Sequence, residues 1–352
     1  MKILQINTEK TWRGGERQTL FTLMGLKQAG HNAELLCLRG YPMSQQAKAK
    51  SLSIHEVRNQ KEAFRFLLKH GRKFDLLHAQ TGKGQSLSVL TRPFHSRPVV
   101  YTRRVDFKPS GLVAKLKYHF THQLVAISPA IKDILKDFCP QAKIPVIPSC
   151  IDSSRSVLSA SEKAVQLKKK YEGFAIIASV AAMVPHKDPL TMVRAIHHLK
   201  KISSRKFIFL HFGNGELQEN VSREVRRLEL ENDYLLMGFE KEVEGFFPIF
   251  DVFAMSSREE GLGSSVLDAF RYKVPVVSTS AGGLRDLVSG RGLVCPVEDH
   301  ECLSEKINEL LVQPGRYQEQ TLKAHEYVLQ NHSLKKMTAD YIDLYRSLIT
   351  GC

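Results

Sequence analysis

The dodecapeptide SREEGLGSSVLD, Ser257–Asp268, puts three carboxylates and two glycines between an apolar run, FDVFAMSS, and a helical pattern. Glycine lets backbone N–H groups approach a ligand closely, and carboxylates accept hydrogen bonds from hydroxyls. Glu260 and Asp268 are spaced to hold hydroxyls at two ends of a long substrate. A purely structural reading stands beside this one. Ser265 and Asp268 fit an S-x-x-D capping box, which only starts a helix.

Other turns repeat the theme of strand, glycine, helix. Gly14, Gly15 and Glu16 (GGE) follow the first strand and open a helix, where free N–H groups suit an anion, although taken alone a plain tight turn fits these residues better. FGNGEL, with Gly213, and AGGLRD, Ala281–Asp286, have the same form. Lys187 in MVPHKDP lies in a loop leading into a helix and can neutralise a diphosphate as a point charge. His78 in HAQTGKG lies at a strand end, where it lines a cleft or takes part in proton transfer; a hydrogen-bonded structural histidine is the alternative. Arg103 and Arg104 in YTRRVDF suit phosphate at a sheet edge, or simply belong to a solvated basic surface. Recurrence within one half of the chain points to a nucleotide-type ligand.

The elements that must position these residues alternate. KILQIN, AELLCL, DLLHAQ, PVVYTR, HQLVAIS and IPVIPS read as strands with helices between them. After a polar, serine-rich stretch between Cys150 and Gly173, read as a linker, a second series runs from FAIIASVAA to GLVCPV. Each series implies a parallel, doubly wound Rossmann-like sheet with its ligand edge at the carboxyl ends of the strands. The expected division is 1–165 as a first domain, 166–332 as a second and 333–352 as an amphipathic C-terminal helix packing on the first, with a ligand cleft between the domains.

Composition narrows the class. The 352 residues suit two domains, and 43 % hydrophobic with 25 % charged residues is a soluble globular profile. No apolar run approaches the roughly 20 residues of a membrane span. MKILQINT is too brief for a signal peptide, so a cytoplasmic protein is expected. Six scattered cysteines argue against a zinc site or a disulfide framework and read as reduced, mostly buried thiols. The net charge of +15 is confined: residues 1–150 hold 25 Lys+Arg against 9 Asp+Glu, a balance of +16. That half is expected to meet something anionic.

The ordered set GGE, DLLHAQ, VAIS, VIPSCID, VPHKD, FGNGEL, SSREEGLGSSVLDAF, VPVVSTSAGG and GLVCPV resembles the GT-B retaining glycosyltransferases of family 4 over nearly the whole chain. The resemblance implies metal-independent transfer of a sugar from a nucleoside-diphosphate sugar, with no cofactor. The donor would bind the second domain. Glu260 would hold its sugar, Gly261, Leu262 and Gly263 would contact its hydroxyls, and Asp268 would take the ribose. Lys187 would hold the diphosphate with help from Gly14 and Gly15, and Gly213 would line the same site. Catalysis would fall to Glu260, Lys187 and His78. The acceptor, an anionic glycolipid or glycan, would meet Glu16, Arg103 and Arg104 in the first domain, at the inner face of the cytoplasmic membrane, with no nucleic acid involved. Three departures stand out: the second acid is Asp268 rather than Glu, Arg104 stands where the family often has a histidine after the strand PVVYT, and Ala182 replaces the arginine five residues before Lys187. That absence keeps a non-catalytic polyanion- or nucleotide-binding protein on the same fold as an alternative. A nucleotide-sugar epimerase or hydrolase is the other.

Overall fold

The structure, a computed structural model, describes residues 1–151 and 159–350. The chain divides into two compact units, Met1–Asp152 with Asn331–Cys352, and Ser153–Gln330. The first contains β1 (Lys2–Ile6), α1 (Gly14–Gln28), β2 (Asn32–Leu38), α2 (Pro42–Ala49), β3 (Ser53–Val57), α3 (Gln60–His70), β4 (Leu76–Ala79), α4 (Gly82–His95), β5 (Val99–Arg103), α5 (Leu112–His119), β6 (Gln123–Ala126) and α6 (Pro129–Phe138). The second contains α7 (Glu162–Lys170), β7 (Ala175–Val180), α8 (Pro189–Ile202), β8 (Phe207–Phe212), α9 (Gln218–Arg227), β9 (Tyr234–Gly238), β10 (Val252–Met255), α10 (Ser264–Arg271), β11 (Val276–Thr279), α11 (Gly283–Val288), β12 (Leu293–Cys295), α12 (His300–Val312) and α13 (Gln318–Asn331). A final helix, α14 (Leu334–Thr350), returns to the first unit.

Both sheets are parallel and six-stranded, in the orders β3-β2-β1-β4-β5-β6 and β12-β11-β10-β7-β8-β9. Strands buried on both faces need continuous apolar runs, and VFAM in β10 supplies one. Each order reverses once, between β1 and β4 and between β7 and β10. In open parallel sheets a ligand crevice forms at the carboxyl ends of the two strands flanking that reversal.

The boundaries differ from the expected 165/166 and 332/333. The Ser161 N–H donates to the Gly245 carbonyl at 2.9 Å, and α7 packs on the 3-10 segment Val243–Ile249, so α7 belongs to the second unit. Of the expected linker, residues 152–158 lie outside the described residues. IPVIPS is no strand: its contribution is one bridge, Val146 to Ala126, because prolines at 145 and 148 lack ladder donors. The sixth strand of that sheet is instead β3, SIHEV, at the sheet edge.

The expectation of reduced cysteines is corrected at one place. Cys295 at the end of β12 is disulfide-bonded to Cys302 in the first turn of α12, across a loop the sequence pattern did not close. Cys37 and Cys139 are free thiols. Among the described residues no helix is long and apolar enough to cross a membrane.

In the first unit, α14 lies against α1 where Gly25 removes the obstacle. A Cβ there would press on the Thr338 side chain. The approach buries Tyr341 and Tyr345 completely. In the second unit, His211 on β8 is also buried. Tyr234 Oη lies 2.7 Å from its Nδ1 and the Ala181 carbonyl 3.2 Å from its Nε2. A carbonyl only accepts, so Nε2 carries the proton and the hydroxyl donates to Nδ1. Burial lowers the His211 pKa from 6.5 to about 4, against the smaller opposing effect of the Ala181 carbonyl.

A depressed histidine pKa means that the unfolded chain binds the extra proton first. Stability is therefore full above 6.5 and is lost as the pH falls toward 4. The slope from this one group is at most about 1.4 kcal/mol per pH unit. Urea unfolding between pH 7 and pH 4 should show a shallower loss for His211→Gln than for the parent chain. Parallel profiles would contradict the assignment.

Candidate functional site

The reversal point of the second sheet lies between β7 and β10, and the loops leaving those two strands carry Lys187 and Glu260. The two side chains form an ion pair, and each is mostly buried, with 18 % and 14 % of the side chain exposed. Lys187 ends the 3-10 turn Pro185–Lys187, which stops at Asp188 in a left-handed conformation (φ 45°). Asp188 then caps α8, accepting from the Thr191 N–H at 3.4 Å and its hydroxyl at 2.7 Å.

The Ser256–Gly263 loop is fixed on both sides. The Arg258 and Glu259 N–H groups donate to the His186 carbonyl at 2.9 and 3.2 Å, and the Ser256 hydroxyl donates to the Asp188 carbonyl at 2.8 Å. From β11, the Thr279 hydroxyl donates to the Ser257 carbonyl at 2.6 Å and the Gly283 N–H to the Glu260 carbonyl at 2.7 Å. A neighbouring pair of loops is laced in the same way. The Met183 N–H donates to Asn214 at 3.1 Å and the Leu217 N–H to Met183 at 2.9 Å. Four strand–helix turns of one sheet edge are thus tied to each other through main chain.

Gly261, Leu262 and Gly263 form a buried corner before α10. Gly263 is the N-cap in a left-handed conformation (φ 87°), and no side chain caps the helix. Ser265 lies inside the helix, its hydroxyl 3.6 Å from Met255 Sδ. The S-x-x-D capping box is therefore not formed, and Asp268 is a buried carboxylate within α10 rather than a cap. Glu259 is exposed. Gly213 has φ 137° and donates its N–H to the Gly238 carbonyl at 2.8 Å, while a Cβ there would press on the Ala181 carbonyl. Its role here is to let two loops approach.

Ala182 brings no cation. Arg258 lies in the loop leaving β10, with Nε 2.9 Å from Asp188 and a terminal nitrogen 2.8 Å from Glu298, so its charge is divided between two carboxylates. The hydrogen bond to Asp188 raises its pKa further, with the charges of Asp188 and Glu298 adding to it. Sequence reasoning missed this triad, because Glu298 follows a different strand and no motif links it to Arg258. The strand–glycine–helix pattern did find the turn in which Gly283 lies, though not its bond to Glu260.

In the first unit the reversal point lies between β1 and β4. Gly14 and Gly15 open α1 there, beside Arg104, whose Cδ lies 3.5 Å from where a Cβ on Gly15 would be. Arg104 donates to Gln80 at 2.6 Å. The other assignments change. His78 is fully buried, with Nδ1 2.6 Å from the Tyr345 hydroxyl and Nε2 2.8 Å from the Thr102 hydroxyl. Burial, with the Arg104 charge second, lowers its pKa well below 6.5. It is a neutral core residue that ties α14 to β4 and β5, and no ring nitrogen is left for proton transfer to a substrate. Arg103 is 2 % exposed and donates to the Tyr118 hydroxyl and the Phe107 carbonyl, so it holds the segment beyond β5 rather than an acceptor. Glu16 accepts from the Arg13 N–H at 2.8 Å as half of a capping box, and burial raises its pKa. Arg104 is the half-buried cation of the two-arginine motif.

Comparison with known proteins follows this division. Residues 161–327 match the family described as glycosyl transferases group 1, and residues 12–155 match glycosyltransferase family 4. The lipopolysaccharide core biosynthesis glycosyltransferase LpsE of Rhizobium meliloti is 25 % identical over 176 residues, 49 % of this chain and 50 % of that protein. The 2-deoxystreptamine glucosyltransferase of Streptomyces kanamyceticus is 29 % identical over 154 residues, 42 % of this chain and 39 % of that protein. The matched segments thus span half or less of these relatives. Among solved structures, Anabaena Alr3699/HepE in complex with UDP-glucose superposes with a TM-score of 0.87 at 17 % identity, covering 99 % of this chain and all of that one, a likeness of fold.

Proposed function

The chain belongs to the group 1, family 4 glycosyltransferases, and from that premise we propose that it moves a sugar, with retention of anomeric configuration, from a nucleoside diphosphate to a hydroxyl of an anionic, lipid-linked or lipopolysaccharide-type glycan. The observation that carries the reading is the Lys187–Glu260 pair at the reversal point of the second sheet. Lys187 takes the diphosphate, whose charge grows as the bond from the anomeric carbon to phosphate oxygen breaks. A cation already fixed there needs no reorganisation when the charge develops. Glu260 holds the sugar above the glycine corner, and Asp268 accepts from the ribose hydroxyls. The acceptor hydroxyl forms the new bond to the anomeric carbon, and its proton leaves with the diphosphate. Lys187 and main-chain N–H groups carry the neutralisation that a metal ion supplies in other transferases.

On the acceptor side Arg104, beside Gly15, remains as the anion-facing cation; Gly14 and Gly15 keep the diphosphate role that the resemblance implies. Glu16 acts by fixing the α1 terminus that Gly14 and Gly15 open. The +16 balance of residues 1–150 supports an anionic acceptor met at the cytoplasmic face of a membrane. LpsE is named for lipopolysaccharide core synthesis, which supports the same acceptor class.

A thermal-shift screen of nucleotide sugars identifies the donor, since a ligand bound by the folded state alone raises the melting temperature. Asp268→Asn should then lower the affinity for that donor by about tenfold or more, the worth of a hydrogen bond to a charged group. No stabilisation by any nucleotide sugar, or unchanged donor affinity in the variant, would overturn the reading.

A further inference from the structure

The segment after β5 is folded with its apolar side chains outward. Phe107, Leu112, Val113, Leu116 and Phe120 are 59, 73, 81, 50 and 47 % exposed. In α5 the buried residue is Tyr118. Its ring meets Tyr101 and Phe138 edge-on, at 5.8 and 5.3 Å, and its hydroxyl accepts from Arg103. Arg103 also reaches the Phe107 carbonyl, and Arg92 of α4 donates to the Phe120 carbonyl at 3.3 Å. The helix is therefore pinned from below by one aromatic residue and two arginines, and its leucines and valine face outward from that anchor. A surface helix of a soluble protein normally turns such a stripe to the core, and a contiguous exposed apolar patch marks an interaction site.

Charge identifies what it meets. Residues 107–132 contain four lysines and no Asp or Glu. Lys108 and Lys115 are exposed within the same segment as the apolar side chains, Lys108 in a loose, solvent-exposed pair with Asp137 at 3.9 Å. Apolar side chains ringed by lysines match an interface of acyl chains beneath anionic phosphate headgroups. A second copy of the chain fits poorly, because a two-fold contact would set these lysines against themselves.

We propose that α5 with the preceding Phe107–Gly111 segment is a membrane-docking surface that inserts Leu112, Val113 and Leu116 at the headgroup boundary of an anionic bilayer. This deepens the proposed function by naming where the acceptor's membrane is met. Its test uses no donor, so it stands or falls separately from the transfer reaction.

The full chain is sedimented with vesicles of phosphatidylcholine and of a phosphatidylcholine–phosphatidylglycerol mixture. It should bind the mixed vesicles at low salt and leave them at high salt, where screening shortens the reach of the charges. A chain carrying Leu112→Ser, Val113→Ser and Leu116→Ser should bind about tenfold more weakly or worse. One carrying Lys108→Gln and Lys115→Gln should weaken by a similar factor, about tenfold. Both should keep the parent melting temperature, since the substituted side chains are exposed; a variant that does not is set aside and the other decides. Unchanged binding by the folded variant, equal binding to neutral vesicles, or a parent dimer that the serine variant converts to monomer would overturn the proposal.

Discussion

Glu260→Gln should lower kcat/KM for sugar transfer by about 10²- to 10³-fold, the range seen when one preorganised electrostatic group is removed from a transition state. The expectation follows from the tethers of the loop. The Glu260 carbonyl is held by Gly283, the preceding residues by His186, and the carboxylate by Lys187. The side chain is thus preset rather than recruited by substrate. Glutamine keeps an oxygen for the Lys187 ammonium, so folding should lose no more than about 1–3 kcal/mol. Loss of charge also leaves Lys187 without its carboxylate, which alters its hold on the diphosphate in the ground state. The kinetic split is informative for that reason. A fall in kcat with little change in donor KM would identify an interaction made chiefly in the transition state. Glu259→Gln is the control, because that neighbouring side chain is exposed and should leave the rate unchanged.

Gly283→Ala should be nearly as damaging without touching a charged group. A Cβ at Gly283 would collide with the Gly261 carbonyl oxygen and come within 2.8 Å of its carbon and 3.0 Å of Leu262 Cα. All three are main-chain atoms and cannot rotate aside. Either α11 or the glycine corner must shift, and the corner is the proposed sugar contact. Overpacking of this kind costs about 1–3 kcal/mol of stability. A displacement on the order of 1 Å at a reacting group can cost about 10²-fold in rate. Donor affinity and turnover should therefore fall together, measured by calorimetry and initial rates. Gly315→Ala, where a Cβ meets nothing within 4 Å, is the matched control. Equal behaviour of the two alanine variants would mean that the corner tolerates displacement and is not part of the donor site.

These two sites illustrate what the sequence could convey. The strand–glycine–helix turns were legible because each is local: a buried apolar run, then a residue free of Cβ, then helical spacing. The doubly wound class follows from the same pattern, whereas the strand order, and with it the reversal point at which Lys187 and Glu260 meet, is shown by the fold. Part of what was not legible depends on residues distant in the chain. His78 looks like a cleft histidine until Tyr345 and Tyr341, more than 260 residues later, are seen to cover it. Arg103 and Arg104 are equivalent as letters, yet Tyr118 captures one and leaves the other beside Gly15. Ser265 and Asp268 satisfy the spacing of a capping box, but Gly263 starts the helix two residues earlier and removes it. The Cys295–Cys302 bond was invisible because nothing in the spacing predicts that the β12–α12 loop folds back on itself. The outward-facing α5 was missed for a related reason. Apolar residues at helical spacing imply a buried face, and only the position of Tyr118 shows that this helix is anchored by its opposite side.

Both proposed sites are built around main-chain geometry rather than around single reactive side chains. That suits a reaction whose main demand is to hold a charged leaving group and a sugar in fixed register. It also fits the proposed role of Asp268 where the resemblance leads one to expect glutamate: hydroxyl recognition needs a carboxylate acceptor, which both side chains carry.

The direct measurement is NMR analysis of products after the chain is incubated with the nucleotide sugar that stabilises it and with a lipid-linked glycan acceptor. One nucleoside diphosphate released for each new glycosidic linkage, with the donor's anomeric configuration kept and both signals lost in Glu260→Gln, is the predicted result. Free sugar, an epimerised nucleotide sugar, or binding without release of nucleoside diphosphate would contradict it.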